Sequence, residues 1–245
     1  MTDLHVHTTF SDGRNTPEEV VLAAIEKGMT RLGFSDHSYT FFDEDYCMPR
    51  ERIEEYRACI AGLKERYSDR IEILCGIEQD IFSAESTEGY DYVIGSVHYI
   101  HVNGEYFSVD HTEEILLDAA RRHFGGDLIA LTEEYWRTVA QVAERTGADI
   151  IGHLDLISKF NEGGRLFDEA DPRYVAAAKA AVDKLLLTGK PFEINTGAIS
   201  RGYRSAPYPA GFLQEYIRAR GGRFILSSDS HAAETLMYGF KNCRV

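Results

Sequence analysis

The chain has 245 residues, a length that suits one large α/β domain, and its 44% hydrophobic content can fill a sizeable core. Its 26 Lys and Arg stand against 40 Asp and Glu, a formal charge of −14 that repels a phosphate backbone and argues against long nucleic acid as a partner. There is no run of about 18 apolar residues to span a bilayer and no basic-then-apolar leader. The cysteines are scattered without a CxxC pair, as expected for reduced thiols in the cytoplasm.

In chain order, LHVHT (4–8) reads as a short first strand. TPEEVVLAAIEKG (16–28) follows as a helix, with Thr16 at the N-cap, Pro17 at N1 and Gly28 near the end. RLGFSDH (31–37) is a second strand, and RERIEEYRACIAGLKERYS (50–68) a longer amphipathic helix. IEILCGIEQD (71–80) and YDYVIGSVHYI (90–100) are two strands joined by a connection too short for a helix. Residues 113–124 and 127–147 predict two helices, and ADIIGHLD (148–155) is a nearly all-apolar strand. The helix at 172–189 leads to strand PFEINTG (191–197), and the helix at 209–222 leads to strand RFILSSDSH (223–231). This βα alternation predicts parallel pairing, in a barrel or a doubly wound sheet, within one domain over 1–245. Only a turn or two of helix can follow the last strand, so the outer layer should be thin at the closing seam.

The polar residues cluster where these strands end. His5 and His7 lie on the first, Asp36 and His37 end the second, Glu78 ends the third and His98 the fourth. His153 and Asp155 end the fifth, Glu193 and Asn195 lie on the sixth, and Asp229 and His231 end the seventh. In parallel α/β barrels the C-terminal mouth collects residues from different strands. Each has an ordinary explanation alone: a histidine satisfied in the core, Asp12 as a turn residue before Gly13, Asp229 as a helix cap. Glu78 in an apolar strand is harder to dismiss, because an unpaired buried carboxylate is costly. Together the residues point to a metal cluster. His101, His111 and His123 do not share this placement; His111, just before a helix, reads as a boundary residue, with lining the mouth as its alternative role.

The motifs DLHVHTTFSDG, GFSDHS, GIEQD, GSVHY, GHLD and SSDSH, in that order, resemble those of the polymerase-and-histidinol-phosphatase (PHP) superfamily of metal-dependent phosphoesterases. The resemblance implies a distorted (β/α)7 TIM-like barrel with two or three divalent ions at its mouth. It implies that His5, His7, Glu78 and Asp229 hold a first ion. Glu78 bridges to a second, completed by His98 and His153, while Asp12, His37 and His231 surround a third. Some members carry His where this chain has Asp12. Zinc, manganese and iron all suit such mixed shells.

Within the superfamily the chain is most similar to stand-alone histidinol-phosphate phosphatases of histidine biosynthesis, with GHLDLISKFN and EINTGAISRGYRSAPYP as further matches. The resemblance implies that basic loop residues hold the substrate phosphate, and Lys159, Arg201 and Arg204 are the candidates. The expected chemistry is in-line attack by a hydroxide held between two ions, with Asp229 or His231 as candidates to pass a proton to the leaving alkoxide. Asp36, Asp155 and Asn195 are expected to orient ligands. Glu193 either fills the barrel interior or meets the substrate ammonium. Two other readings remain open: a phosphoesterase for nucleotides or short oligonucleotides, and a non-catalytic metal-binding module. The sequence specifies no oligomeric state.

Overall fold

The computed structural model describes residues 1–244. Strand β1 (Thr2–Asp3) leads to helix α1 (Pro17–Glu26), strand β2 (Arg31–Phe34), helix α2 (Ile53–Arg66), strand β3 (Glu72–Asp80) and strand β4 (Tyr92–Ser96). A hairpin of β5 (Tyr99–Val102) and β6 (Glu105–Ser108) comes next, then helices α3 (Glu113–His123), α4 (Leu128–Val139) and α5 (Val142–Thr146). The chain ends through β7 (Ile150–Ile151), α6 (Pro172–Leu186), β8 (Phe192–Asn195), α7 (Gly197–Ser200), α8 (Gly211–Ala219) and β9 (Phe224–Ser227).

Seven of the strands form one parallel sheet in the order β1-β2-β3-β4-β7-β8-β9. The sheet curls until its ends meet: His7 N–H donates to the Ser230 carbonyl at 2.9 Å, and Ser230 N–H donates to the His5 carbonyl at 3.1 Å. The buried Asp3 carboxylate reinforces this seam by accepting from the backbone N–H groups of Ser228 and Met237, both at 3.1 Å. The result is a nearly closed, distorted TIM-like barrel in a single domain. Beyond β9, among the described residues, two short 3₁₀ turns follow, at Ala233–Thr235 and Phe240–Asn242.

Helix α1 starts where the sequence placed it. Thr16 Oγ1 accepts from Glu19 N–H, the Glu19 carboxylate accepts from Thr16 N–H at 2.9 Å, and Pro17 begins the helix. Other boundaries moved. The first strand is Thr2–Asp3 rather than 4–8, so His5 and His7 lie in the extended segment beyond it that forms the seam. The strand expected over 90–100 breaks after Ser96, because the chain leaves the barrel to make the β5–β6 hairpin. The helix expected over 127–147 is two, α4 and α5. The strand expected over 148–155 shortens to Ile150–Ile151, where both flanking strands offer ladder partners.

Strand alternation decides what faces inward. On β3, Leu74, Gly76 and Glu78 share the interior face, while Ile73 and Ile77 pack outward against α1 and α2. At the lower layer of the barrel Tyr92, Ile94 and Ile150 pack with Leu4, Leu74 and Ile225. The Tyr92 ring crosses this interior, and its Oη lies 2.6 Å from the Leu4 carbonyl and 2.9 Å from that of Phe34. Gly33 and Gly76 leave room for the ring: a Cβ on Gly76 would stand 2.3 Å from Tyr92 Cζ. Gly76→Ala is therefore expected to cost about 1–3 kcal/mol through overpacking, read as a lowered urea midpoint with an unchanged denaturant slope.

Candidate metal centre

Glu78 lies two residues before the end of the long strand β3, points inward above the Tyr92 layer and is 1% exposed. Five imidazoles converge on its carboxylate. His153 Nε2 and His37 Nδ1 stand at 2.8 and 2.9 Å, and the Nε2 atoms of His5, His98 and His7 at 3.2, 3.3 and 3.5 Å. Burial would raise the pKa of Glu78, but His5, His37 and His98 outweigh it and hold the carboxyl well below its usual range.

The seam brings the other ligand candidates to the same place. Asp229 Oδ1 lies 3.3 Å from His7 Nε2 and 3.8 Å from His5 Nε2. Asp229 adopts φ 50, a left-handed conformation that Asp tolerates better than most residues. Gly197 lets Asp229 and Arg201 approach, since a Cβ there would meet Asp229 Oδ2 at 2.7 Å. Asp12 Oδ2 is 3.2 Å from His231 Nε2, and Asp12 Oδ1 is 3.6 Å from His37 Nε2. Ligand atoms fall into overlapping sets: His7, Asp12, His37 and His231; His5, His7 and Asp229; His5, Glu78 and His153; His37, Glu78 and His98. All nine residues expected as ligands from the sequence fall within these sets. His5, His7 and His37 each belong to more than one set, where the resemblance gave each to one ion.

Two of these histidines are aimed by a carboxylate behind them. His5 Nδ1 meets Glu193 Oε1 at 2.8 Å, while the other Glu193 oxygen accepts from His153 N–H at 2.9 Å. His98 Nδ1 meets Asp80 Oδ2 at 3.1 Å. In each case Nε2 is left facing the cluster. His7 is pushed down to about 3 by burial and then by His231 and His37, which keeps it neutral with a lone pair to donate. His5 Nε2, both His7 ring nitrogens, Glu78 Oε2 and His153 Nδ1 are buried without an aligned hydrogen-bond partner. Buried polar atoms are seldom left so. Imidazole and carboxylate atoms converging from several strand ends, some of them without an aligned partner, are a set that fits divalent metal.

Above the cluster opens a cavity of about 350 Å³, suited to a small molecule. Lys159, Arg201, Arg14, Asp110, His111 and Tyr203 are among its walls. Arg201 Nη2 donates to Asp229 Oδ2 and its Nη1 to His231 Nδ1, both at 3.0 Å. Lys159 Nζ donates to the Asp110 carbonyl at 2.6 Å.

A family model of the PHP domain matches residues 3–197. The chain belongs to the PHP domain family. A Deinococcus radiodurans relative named probable histidinol-phosphatase is 32% identical over 240 residues, covering 94% of this chain and 85% of the relative. Among solved structures, HisK from Listeria monocytogenes superposes with a TM-score of 0.84 at 18% identity, over 100% of both chains. A Lactococcus lactis histidinol phosphate phosphatase, complexed with zinc, L-histidinol and phosphate, gives a TM-score of 0.65 at 22% identity over 95% of this chain and 86% of that one. These two likenesses bear on the fold.

Several expected residues of this PHP domain do other work. Arg204 turns away from the cavity to the Ser158 carbonyl, Glu169 and Glu162, and so braces the loop beside it. Asp155 touches no ligand; its Oδ2 accepts from Ala210 N–H at 2.8 Å, and burial pushes its carboxyl up to about 7. Glu193 is 0% exposed under His5, so it fills the interior and does not reach a substrate ammonium. Asn195 Nδ2 links Glu193 to Asp229, at 3.2 and 3.4 Å, in line with its expected orienting role. Asp80 and Asp110 were missed, although Asp80 lies within the GIEQD motif itself. Among the described residues all cysteines are unpaired, and no helix is long and apolar enough to cross a membrane.

Asp36 acts on the loop that carries Asp12 rather than on a ligand directly. Its carboxylate accepts from Thr8 N–H (2.8 Å), Thr8 Oγ1 (2.9 Å), Ser11 N–H (3.1 Å) and Ser11 Oγ (2.6 Å). Asp36→Ala would leave these donors without their acceptor and is expected to destabilise by about 2–4 kcal/mol. Urea unfolding checks the value, and an effect within 0.5 kcal/mol, about that of an ordinary surface substitution, would remove the loop-holding role.

Proposed function

We propose that this PHP-domain chain is a metal-dependent phosphomonoesterase that hydrolyses L-histidinol phosphate to L-histidinol and phosphate. The observation that carries the reading is the joining of a dense imidazole–carboxylate cluster to a small cavity with cationic side chains in its wall. The Deinococcus relative, similar over nearly the whole chain, supports the substrate. So does the Lactococcus neighbour with its zinc, L-histidinol and phosphate. The cytoplasm is the setting that unpaired thiols favour.

We place two or three divalent ions, zinc, manganese or iron, on His5, His7, Asp12, His37, Glu78, His98, His153, Asp229 and His231, with Glu78 shared between ions. Ions so held lower the pKa of water and offset charge on phosphoryl oxygens. The rest of the task falls to the chain. Lys159 and Arg201 project into the cavity from separate loops, and a phosphate dianion between them meets a point charge and a planar fork of donors. Arg201 is held for this by Asp229 and His231. The barrel wall excludes bulk water from beneath the cluster, which strengthens both contacts.

Of the two candidates for the leaving-group proton, His231 is better placed. Asp229 Oδ2 is occupied by Arg201 and Asn195, whereas the His231 side chain is 20% exposed in the cavity wall. The proton would pass at His231 Nε2, which faces Asp12, in a state where that nitrogen holds no ion.

The deciding experiment measures phosphate release from L-histidinol phosphate beside a nucleotide panel, with metal content determined on the same sample. Preference for histidinol phosphate with metal bound supports the proposal, and turnover of nucleotides alone overturns the substrate. Glu78→Gln is expected to lower turnover by more than about a hundredfold and to reduce bound metal, with the far-UV circular dichroism unchanged. Wild-type turnover at wild-type metal content would take Glu78 out of the centre. Chelation is expected to lower the Tm reversibly, because ions that bind the folded chain stabilise it. An unchanged Tm after verified metal removal would contradict that.

A further inference from the structure

The cavity wall carries three carboxylates, Asp12, Asp110 and Asp229. Asp12 and Asp229 belong to the ligand sets and Asp110 to none of them. A pocket built only for a phosphate dianion gains nothing from an additional carboxylate, which would repel it. Burial disfavours charge on Asp110, but Lys159 and His98 outweigh it and draw its pKa down to about 2, so the group is an anion at neutral pH.

The geometry also argues against the plainest explanation, that Asp110 merely holds Lys159 in place. Lys159 Nζ makes its shorter contact, 2.6 Å, with the main-chain carbonyl of Asp110, whereas the carboxylate oxygen Oδ2 stands at 3.2 Å. The other carboxylate oxygen, Oδ1, is 3.2 Å from Ser108 Oγ at the end of the hairpin. The lysine is thus anchored by backbone that any residue at 110 would supply. Its side chain is 12% exposed and that of Asp110 is 25% exposed, and both face the cavity.

We infer that Asp110 is a specificity-determining residue that receives the ammonium group of the substrate, so that the site selects phosphate esters of amino alcohols over esters lacking the amine. A phosphorylated 2-amino alcohol holds an anion and a cation a few bonds apart. The Lys159–Asp110 pair offers the complementary order on one wall, Lys159 to the phosphate and Asp110 to the ammonium. A site that offers an ionic contact to a polar substrate group disfavours an analogue without it, because that contact is then not made. The inference deepens the phosphatase reading and rests on it.

The test compares L-histidinol phosphate with the ester that lacks only the amine, using metal-loaded full-length protein. Wild type is expected to favour the amine ester. In D110N the ratio of kcat/KM between the two esters is expected to fall at least tenfold, about the smallest discrimination a specific contact gives, with the loss appearing in KM. D110E, which keeps the charge, should recover part of that ratio. K159M should slow both esters in parallel. An unchanged ratio in folded D110N, or a parallel loss on both esters, overturns the inference and leaves the phosphatase reading standing. Should D110N fail to fold, the wild type decides: a ratio near one refutes Asp110 as the selector. A metal-loaded wild type inert to both esters overturns the phosphatase reading and this inference with it.

Discussion

A carboxylate buried in a protein interior must find positive charge or hydrogen-bond donors, and Glu78 is surrounded by imidazoles drawn from across the chain. This convergence is the constraint on which the rest of the structure depends. Only a barrel mouth can bring side chains from residues 5, 37, 98 and 153 to within hydrogen-bonding range of one carboxylate. The same density of charge would disrupt an ordinary core, where an apolar replacement of equal volume packs as well or better. Here the cost is concentrated in the one place where cations supply the missing partner.

The fold serves this cluster from below and from the side. Below it, the Tyr92 ring and its apolar neighbours plug the barrel, so the ligands stand on a dry, close-packed floor. At the side, the seam between the segment after β1 and the segment after β9 pairs His5 and His7 with Ser230. That pairing sets Asp229 and His231 beside them. Buried polar side chains then support the ligand candidates from behind: the carboxylates of Glu193 at His5 and Asp80 at His98, and the Asn195 amide between Glu193 and Asp229. A ligand turned by even part of a rotamer step would lose the common focus, which is why the supporting bonds are themselves buried.

Charge is distributed with the same logic. The protein as a whole is strongly acidic, yet Lys159, Arg201 and Arg14 all face one small cavity. Local cations among low-dielectric walls govern what the cavity admits, whereas the net charge governs what the surface repels. Lys159 is held by the Asp110 main-chain carbonyl and Arg201 by the Asp229 carboxylate, so both are positioned before any anion arrives. Preorganisation of that kind reduces the ordering cost of binding a small phosphoester.

The sequence by itself determined which polar residues gather at the barrel mouth and the architecture that presents them. Period-two apolar runs alternating with capped helices are local signals, and polar residues at strand ends stand out because an apolar strand gives them no other reason to be there. His5, His7, Glu78, His98 and Asp229 were legible for that reason. What only the tertiary structure decided concerns neighbours distant in the chain. It made Arg204 a brace, Asp155 a loop anchor and Glu193 the partner of His5, and it set Asp110 beside Lys159. It also shortened the fifth barrel strand to Ile150–Ile151 and broke the chain after Ser96 to raise the hairpin that leads into Asp110. A carboxylate's role depends on which group lies within a few ångströms of it, and that distance is set by the closure of the barrel rather than by any residue's own propensity.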